Sequence, residues 1–247
     1  DSAITITFDG GNLAPGASAS FVYYSSLAAE LTTTTSTSTS ALFDSIVEGV
    51  NGGTDTINSA LSVTLPENVE NVALSGSGAI NGVGNSLNNV LTGNSAANIL
   101  KGLGGDDTLV GGGGSDSLTG GTGDDIFRYT NTSDGGAVAT NVTASTANIS
   151  GDTIFDFVSG TDKLEFTSSA FGNLSTGALA SGLFVDLNEA YDGTNSGLAS
   201  GSKAFILDST NKLYFDSATD TSGQDSNEGY SVIAANLDLV ATDITII

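Results

Sequence analysis

The 247-residue sequence has no cysteine, histidine, methionine or tryptophan, and only 2 prolines and 5 basic residues. Each absence removes a class of chemistry. Without cysteine there is no disulfide and no cue to redox compartment. With neither histidine nor cysteine, a Ser-His-Asp triad, a Cys nucleophile and a His-ligated zinc site are ruled out within these residues. A glycosidase-type carboxylate pair passes that filter. The acids, however, fall mostly in turn and loop frames, so the chain reads as not an enzyme. With 28 acidic residues the formal net charge is −23, which argues against nucleic acid or an anionic membrane as partner and for divalent cations. Only 13% of residues are charged, too few for a polyanionic disordered tail. No apolar run approaches the roughly 18 residues of a membrane-spanning helix. The chain starts at Asp1 with no charged-then-apolar leader, and lacking an initiator Met it reads as a fragment or processed product of a longer protein.

What is abundant is glycine, 33 residues, and its spacing organises the chain. Residues 84–128 divide into five contiguous nine-residue units: GNSLNNVLT, GNSAANILK, GLGGDDTLV, GGGGSDSLT and GGTGDDIFR. Position one is always glycine. Position six is Asn89, Asn98, Asp107, Asp116 and Asp125, and position eight is Leu91, Leu100, Leu109, Leu118 and Phe127. Six residues suit a turn and three a strand whose middle side chain points to one face. Units coiling left and right, two per coil, predict an all-β fold: a right-handed parallel β-roll with the leucines inside.

Equivalent positions two units apart then lie one strand spacing apart, roughly 4.8 Å. Asp107 stacks with Asp125 at that distance, which suits one Ca²⁺ held by oxygen ligands at about 2.3–2.6 Å. The glycines let turn carbonyls point inward. Candidate ligands are therefore Asp107, Asp116 and Asp125 with the turn residues Gly102, Gly104, Gly111, Gly113, Gly120 and Thr122. Asp116 needs a partner on the opposite edge, either Asn98 below or Asp134, which lies nine residues beyond Asp125. Two to three ions are expected. Asn89 and Asn98 are read as uncharged structural positions whose stacked amides bond to each other. Asp106 and Asp124, at position five, are expected to face solvent. One buried Leu contributes about 1.5–3 kcal/mol, whereas ordering nine residues costs about 1–2 kcal/mol each. The shortfall predicts folding coupled to metal.

The phase over five units sets this array apart from a flexible Gly/Ser/Asp linker. A Walker-type phosphate loop fails because no Lys-Ser/Thr pair follows the glycines. The nonapeptide resembles the calcium-binding repeat of RTX (repeats-in-toxin) proteins. Residues 54–85, TDTINSALSVTLPENVENVALSGSGAINGVGN, resemble the segment that often precedes such repeats. They read as an irregular parallel β-helix with strands near 45–47, 55–57, 62–65, 69–74 and 79–81. Residues 151–166, GDTIFDFVSGTDKLEF, resemble the segment that closes RTX rolls. The resemblance implies Asp152 and Asp156 as further calcium ligands, and turn caps are the equal alternative.

The flanks are less regular. Residues 1–26 read as a strand pair and 27–40 as a Thr/Ser linker. This divides the chain into 1–40, a roll over 41–134 and a cap over 135–247. Within the cap, 135–150 reads as a surface loop, and Phe171, Leu174, Leu179 and Leu183 show short helical spacing. Residues 203–216 alternate as a hairpin around Ser209-Thr210-Asn211. Asp216, Asp220, Asp225 and Glu228 miss EF-hand spacing and read as a solvated loop. Residues 163–247 resemble the carboxy-terminal region of RTX proteins exported by a type I secretion system. The resemblance implies a secreted or cell-surface calcium-binding module, with the exporter as partner. Its alternatives are part of a surface-layer protein or adhesin that self-assembles with calcium, or the export tail of a secreted hydrolase.

Overall fold

The computed structural model describes residues 5–7, 54–135, 151–171, 173–186, 204–207, 209, 211–216, 232–235 and 239–247. The predicted second strand of the amino-terminal pair, the Thr/Ser linker, the strand at 45–47, the loop of 136–150 and Asp220, Asp225 and Glu228 lie outside these residues.

The strands in chain order are β1 (Thr5–Thr7), β2 (Thr56–Ser59), β3 (Val63–Thr64), β4 (Asn71–Leu74), β5 (Gly82–Val83) and β6 (Val90–Thr92). They continue as β7 (Ile99–Gly104), β8 (Thr108–Val110), β9 (Ser117–Thr122), β10 (Ile126–Tyr129), β11 (Asp152–Ile154) and β12 (Lys163–Phe166). The last six are β13 (Gly177–Ala178), β14 (Phe184–Asp186), β15 (Ala204–Leu207), β16 (Lys212–Asp216), β17 (Val232–Ala235) and β18 (Ile244–Ile246). No α-helix occurs among the described residues, and none there is long and apolar enough to cross a membrane.

Two nine-stranded sheets face each other. Sheet A runs β1-β2-β4-β6-β8-β10-β12-β18-β13 and sheet B runs β14-β15-β16-β17-β11-β9-β7-β5-β3. From β2 to β11 the chain alternates between sheets, and each strand pairs in parallel with the one two ahead. That is the two-units-per-coil roll expected from the nine-residue phase. Glycine-led six-residue turns reverse the chain every nine residues, leaving short strands with one inward large apolar side chain each.

Those side chains stack into two columns. In sheet A, Ile57, Val72, Leu91, Leu109, Phe127, Leu164 and Ile244 lie in register. In sheet B, Val63, Gly82, Leu100, Leu118 and Ile154 do the same. All five position-eight residues are at most 1% exposed, so the roll's interior is the position-eight column itself.

Beyond the repeats the sheets continue into a different core. Tyr129, Phe166, Phe171, Phe205 and Phe215 form an aromatic cluster, with Phe166–Phe205 centroids at 4.5 Å and Phe171–Phe215 at 5.1 Å. The hairpin expected at 203–216 is present as antiparallel β15 and β16, with Asn211 left-handed at its turn (φ 59°). The helical spacing over 171–183 is not realised as an α-helix: the segment forms turns, the short β13 and one 3-10 turn at Ser181–Leu183. Gly177 (φ 113°) breaks the periodicity, since that conformation has no place in a right-handed helix. The strand expected at 79–81 lies later, at β5, where Gly82 gives room to Leu100. Thr5–Thr7 pairs in parallel with β2, extending sheet A.

Candidate metal centre

The five turns of the repeats alternate between the roll's two long edges. Turns 84–89, 102–107 and 120–125 lead from sheet B to sheet A and form edge one. Turns 93–98 and 111–116 lead back and form edge two. Stacking therefore runs two units apart, as the sequence predicts.

The two asparagine turns close on their own side chains. Asn89 Oδ1 accepts the Asn85 N–H at 2.8 Å, and its Nδ2 donates to the Val69 carbonyl and Asn85 Oδ1. Asn98 repeats this with the Asn94 N–H at 2.8 Å and the Ile80 carbonyl at 2.6 Å. Asn85 and Asn94 in turn accept from the main-chain N–H of Leu87 and Ala96, both at 2.9 Å. No residue of either turn has positive φ. The expectation that Asn89 and Asn98 bond to each other is corrected. Consecutive units lie on opposite edges, so these amides are never neighbours and instead tie each turn to the coil beneath.

The three aspartate turns are built otherwise. Their second and fourth residues are left-handed: Leu103 and Gly105 (86° and 97°), Gly112 and Gly114 (84° and 115°), Gly121 and Gly123 (115° and 135°). This brings the main chain of one coil down onto the next. A Cβ on Gly121 would strike the Leu103 carbonyl oxygen, and one on Gly102 would strike Asp107 Oδ2 and lie 2.5 Å from the Gly120 carbonyl oxygen.

The carboxylates form ladders. On edge one, Asn89 N donates to Asp107 Oδ1 (2.7 Å), Asp107 N to Asp125 Oδ1 (2.9 Å) and Asp125 N to Asp162 Oδ1 (3.0 Å). On edge two, Asn98 N donates to Asp116 Oδ1 (2.7 Å) and Asp116 N to Asp152 Oδ1 (2.8 Å). One oxygen of each rung is thus satisfied. The other is left over on Asp107, Asp116 and Asp152, where Oδ2 is buried with no hydrogen-bond partner.

Burial accordingly pushes Asp107 and Asp116 up to about 7, with the charges of Asp125 and Asp134 adding to the rise, respectively. Asp125 is raised to about 6 by burial and by Asp162, Asp156 and Asp106, and Asp152 to about 9 by burial and Asp116. Buried like charges one strand apart, each with a spare oxygen, call for a counter-cation. Among the described residues no three acidic groups converge on one point. A hard cation here would therefore draw its remaining ligands from main-chain carbonyls, which calcium accepts at six to eight oxygens. The glycine carbonyls pressed between the coils supply that donor type, so the residues present fit calcium.

Each predicted position can be placed. Gly102, Gly104, Asp107, Gly120, Thr122 and Asp125 share edge one, with Thr122 in register over Gly104. Asn98, Gly111, Gly113 and Asp116 share edge two, and the Gly113 N–H is spent on the Asn94 carbonyl. Asp134 caps its own turn, its Oδ2 accepting from Thr130 N, Thr130 Oγ1 and Asn131 N. The rung above Asp116 is Asp152. Asp156 lies on edge one and accepts the N–H groups of Gly120 (3.0 Å) and Gly121 (2.8 Å). Asp106 and Asp124 are exposed, as expected.

Sequence reasoning missed Asp162, the rung above Asp125, which also takes the Val158 N–H at 2.7 Å. Its signal was the Asp-x-apolar spacing of Asp162–Leu164, which matches positions six and eight but falls outside the nine-residue phase. It also missed Asp243. Burial there works against ionisation, but hydrogen bonds from Ser159 Oγ and the N–H groups of Val240 and Gly160, with the Lys163 ammonium, outweigh it and hold the carboxyl low.

The family model of the RTX calcium-binding nonapeptide repeat, four copies long, matches residues 83–118 and 102–130. The chain carries an RTX calcium-binding array. No curated protein matches the chain. Among solved structures, the AlgE6R3 subunit of the Azotobacter vinelandii mannuronan C5-epimerase is similar at 25% identity, over 66% of this chain and 80% of that one. Its TM-score is 0.31, a superposition too loose to carry an argument. The RTX array spans both the asparagine and the aspartate turns, so the family alone does not separate them. The hydrogen bonds do.

Proposed function

We propose that the chain is a non-catalytic calcium-binding module whose aspartate turns fold onto the ion, two to three ions in all. The observation carrying this reading is the buried, unpartnered Oδ2 of Asp107 and of Asp116 within glycine turns of an RTX array. Bound calcium would supply the positive charge these ladders lack. Successive pairs among Asp107, Asp125 and Asp162 would hold it on edge one, and Asp116 with Asp152 on edge two, with carbonyls of Gly102, Gly111 and Gly120 completing the donor set. Asp156 and Asp243 serve main-chain N–H groups and are read as turn caps.

The RTX likeness further supports export through a type I system and folding outside the cell, where calcium is abundant. Extracellular modules bind calcium at about 10⁻⁴–10⁻³ M, which would keep the aspartate coils open before export. Strands β11, β12 and β18 continue the two sheets past the repeats, and the aromatic core beyond them would cap the roll and shield its last edges.

The test is circular dichroism across a calcium titration, repeated with Asp107→Asn and Asp125→Asn. Strand signal should rise with calcium and shift to higher concentration in both variants. Equal signal under excess chelator would overturn the coupling of folding to metal.

A further inference from the structure

Tyr129 occupies a place that glycine holds in every repeat. Counting nine from Gly120 reaches Tyr129, and the pairing of Phe127 with Leu109 runs its strand along the one that leads into Gly111 one coil below. In the turn below, a Cβ on Gly111 would strike Asp116 Oδ2. One coil higher, the residue at position one carries a whole phenol, and the rung it faces is Asp152. The ring is 1% exposed and stacks on Phe166 at 5.2 Å between centroids, so its direction is set by packing. At its tip, the phenol oxygen is buried without a partner, and so is Asp152 Oδ2. The two groups are neighbours: burial and then the charge of Asp152 raise the phenol well above its ordinary value, while the phenol in turn works to lower Asp152. An unpaired donor facing an unpaired acceptor in a closed interior is a costly arrangement unless the two join.

We propose that Tyr129 is a positioning residue of the edge-two metal site, its phenol donating a hydrogen bond to Asp152 Oδ2 and so fixing the one carboxylate of that site which lies outside the nonapeptides. This rests on the calcium reading above. Asp152 is separated from Asp116 by 36 residues rather than 18, and its sequence carries Ala147 where the nonapeptides of the other aspartates carry their leading glycine. The phenol orients this carboxylate from the core side. Asp152 Oδ1 keeps the Asp116 N–H, and each carboxylate oxygen retains a lone pair for a cation.

The experiment uses terbium as a calcium substitute on the full chain, read by emission under tyrosine excitation; with no tryptophan, tyrosines are the donors. The unaltered chain should show sensitised emission. Tyr129→Phe should remove most of it and weaken one class of site about tenfold, as loss of an outer-shell partner does. Asp116→Asn keeps the phenol and removes the site, so it remains decisive even if Tyr129→Phe does not fold, and should abolish the emission. An unchanged binding curve and emission in Tyr129→Phe, or unchanged emission in Asp116→Asn, would overturn the proposal. Absence of any ion binding to the unaltered chain by calorimetry would instead overturn the calcium reading beneath it.

Discussion

Two kinds of turn close the same roll, and they solve one problem by different means. The asparagine turns at 84–89 and 93–98 satisfy their main chain with their own amides and use no left-handed residue. The aspartate turns put two left-handed residues in each reversal, press onto the coil below and leave buried carboxylate oxygens open. Replacing a carboxylate with an amide at position six changes one atom from acceptor to donor. That atom decides whether a turn is finished by the protein or by something added to it. The first kind is self-sufficient; the second is a socket.

The largest expected consequence follows from chelation. Hydrogen exchange with excess chelator should erase protection at Leu109, Leu118 and Phe127 while amides of the asparagine turns, such as Leu87 and Ala96, retain more of theirs. Uniform loss would break the comparison. Next comes Gly121→Ala, which forces a Cβ into a left-handed position and against the Leu103 carbonyl oxygen. It should cost about 2–4 kcal/mol of calcium-bound stability by denaturant titration.

Acidity should act on one turn type alone. The folded values of about 7 for Asp107 and Asp116 and about 6 for Asp125 lie above the ordinary 3.8. The metal-free roll therefore holds more protons than the unfolded chain, and its stability falls as pH rises from about 4, most of the advantage being gone above about 7 and the share of Asp152 above about 9. Chelated protein should regain strand signal on acidification from pH 8 to 5, and saturating calcium should remove that gain. Asn89→Ala makes the complementary cut. It strips the acceptor from Asn85 N and the donor from the Val69 carbonyl, costing about 1–3 kcal/mol equally with and without calcium. The smallest change sharpens the aspartate turns. Leu103 is half exposed and left-handed where Gly112 and Gly121 stand in the sister turns. Leu103→Gly should add up to about 1 kcal/mol to calcium-bound stability, a rise of a few degrees in Tm.

The roll was legible in the sequence because its period is strict. Glycine at one, an amide or acid at six and a large apolar residue at eight fix both the turn and the inward column, and Leu91 through Phe127 are all buried as expected. Asp107 and Asp125 were legible for the same reason. Asp162 was hidden by a longer connection: 37 residues separate it from Asp125, and only the strand register reveals that they stack. The asparagine hydrogen bonds were misread because alternation between edges was applied to the aspartates and not carried through to the amides. The segment at 171–183 misled because a helical spacing of apolar residues also suits a chain folded against an aromatic cluster, once glycines interrupt it.

The ladders have a direction. At every rung an earlier coil gives the N–H and a later coil brings the carboxylate oxygen. A chain shortened from its carboxyl end therefore leaves an open donor on whichever coil becomes last, and that injury is passed downward one storey for each storey removed. Length at the far end is, in this architecture, part of how the near end is kept.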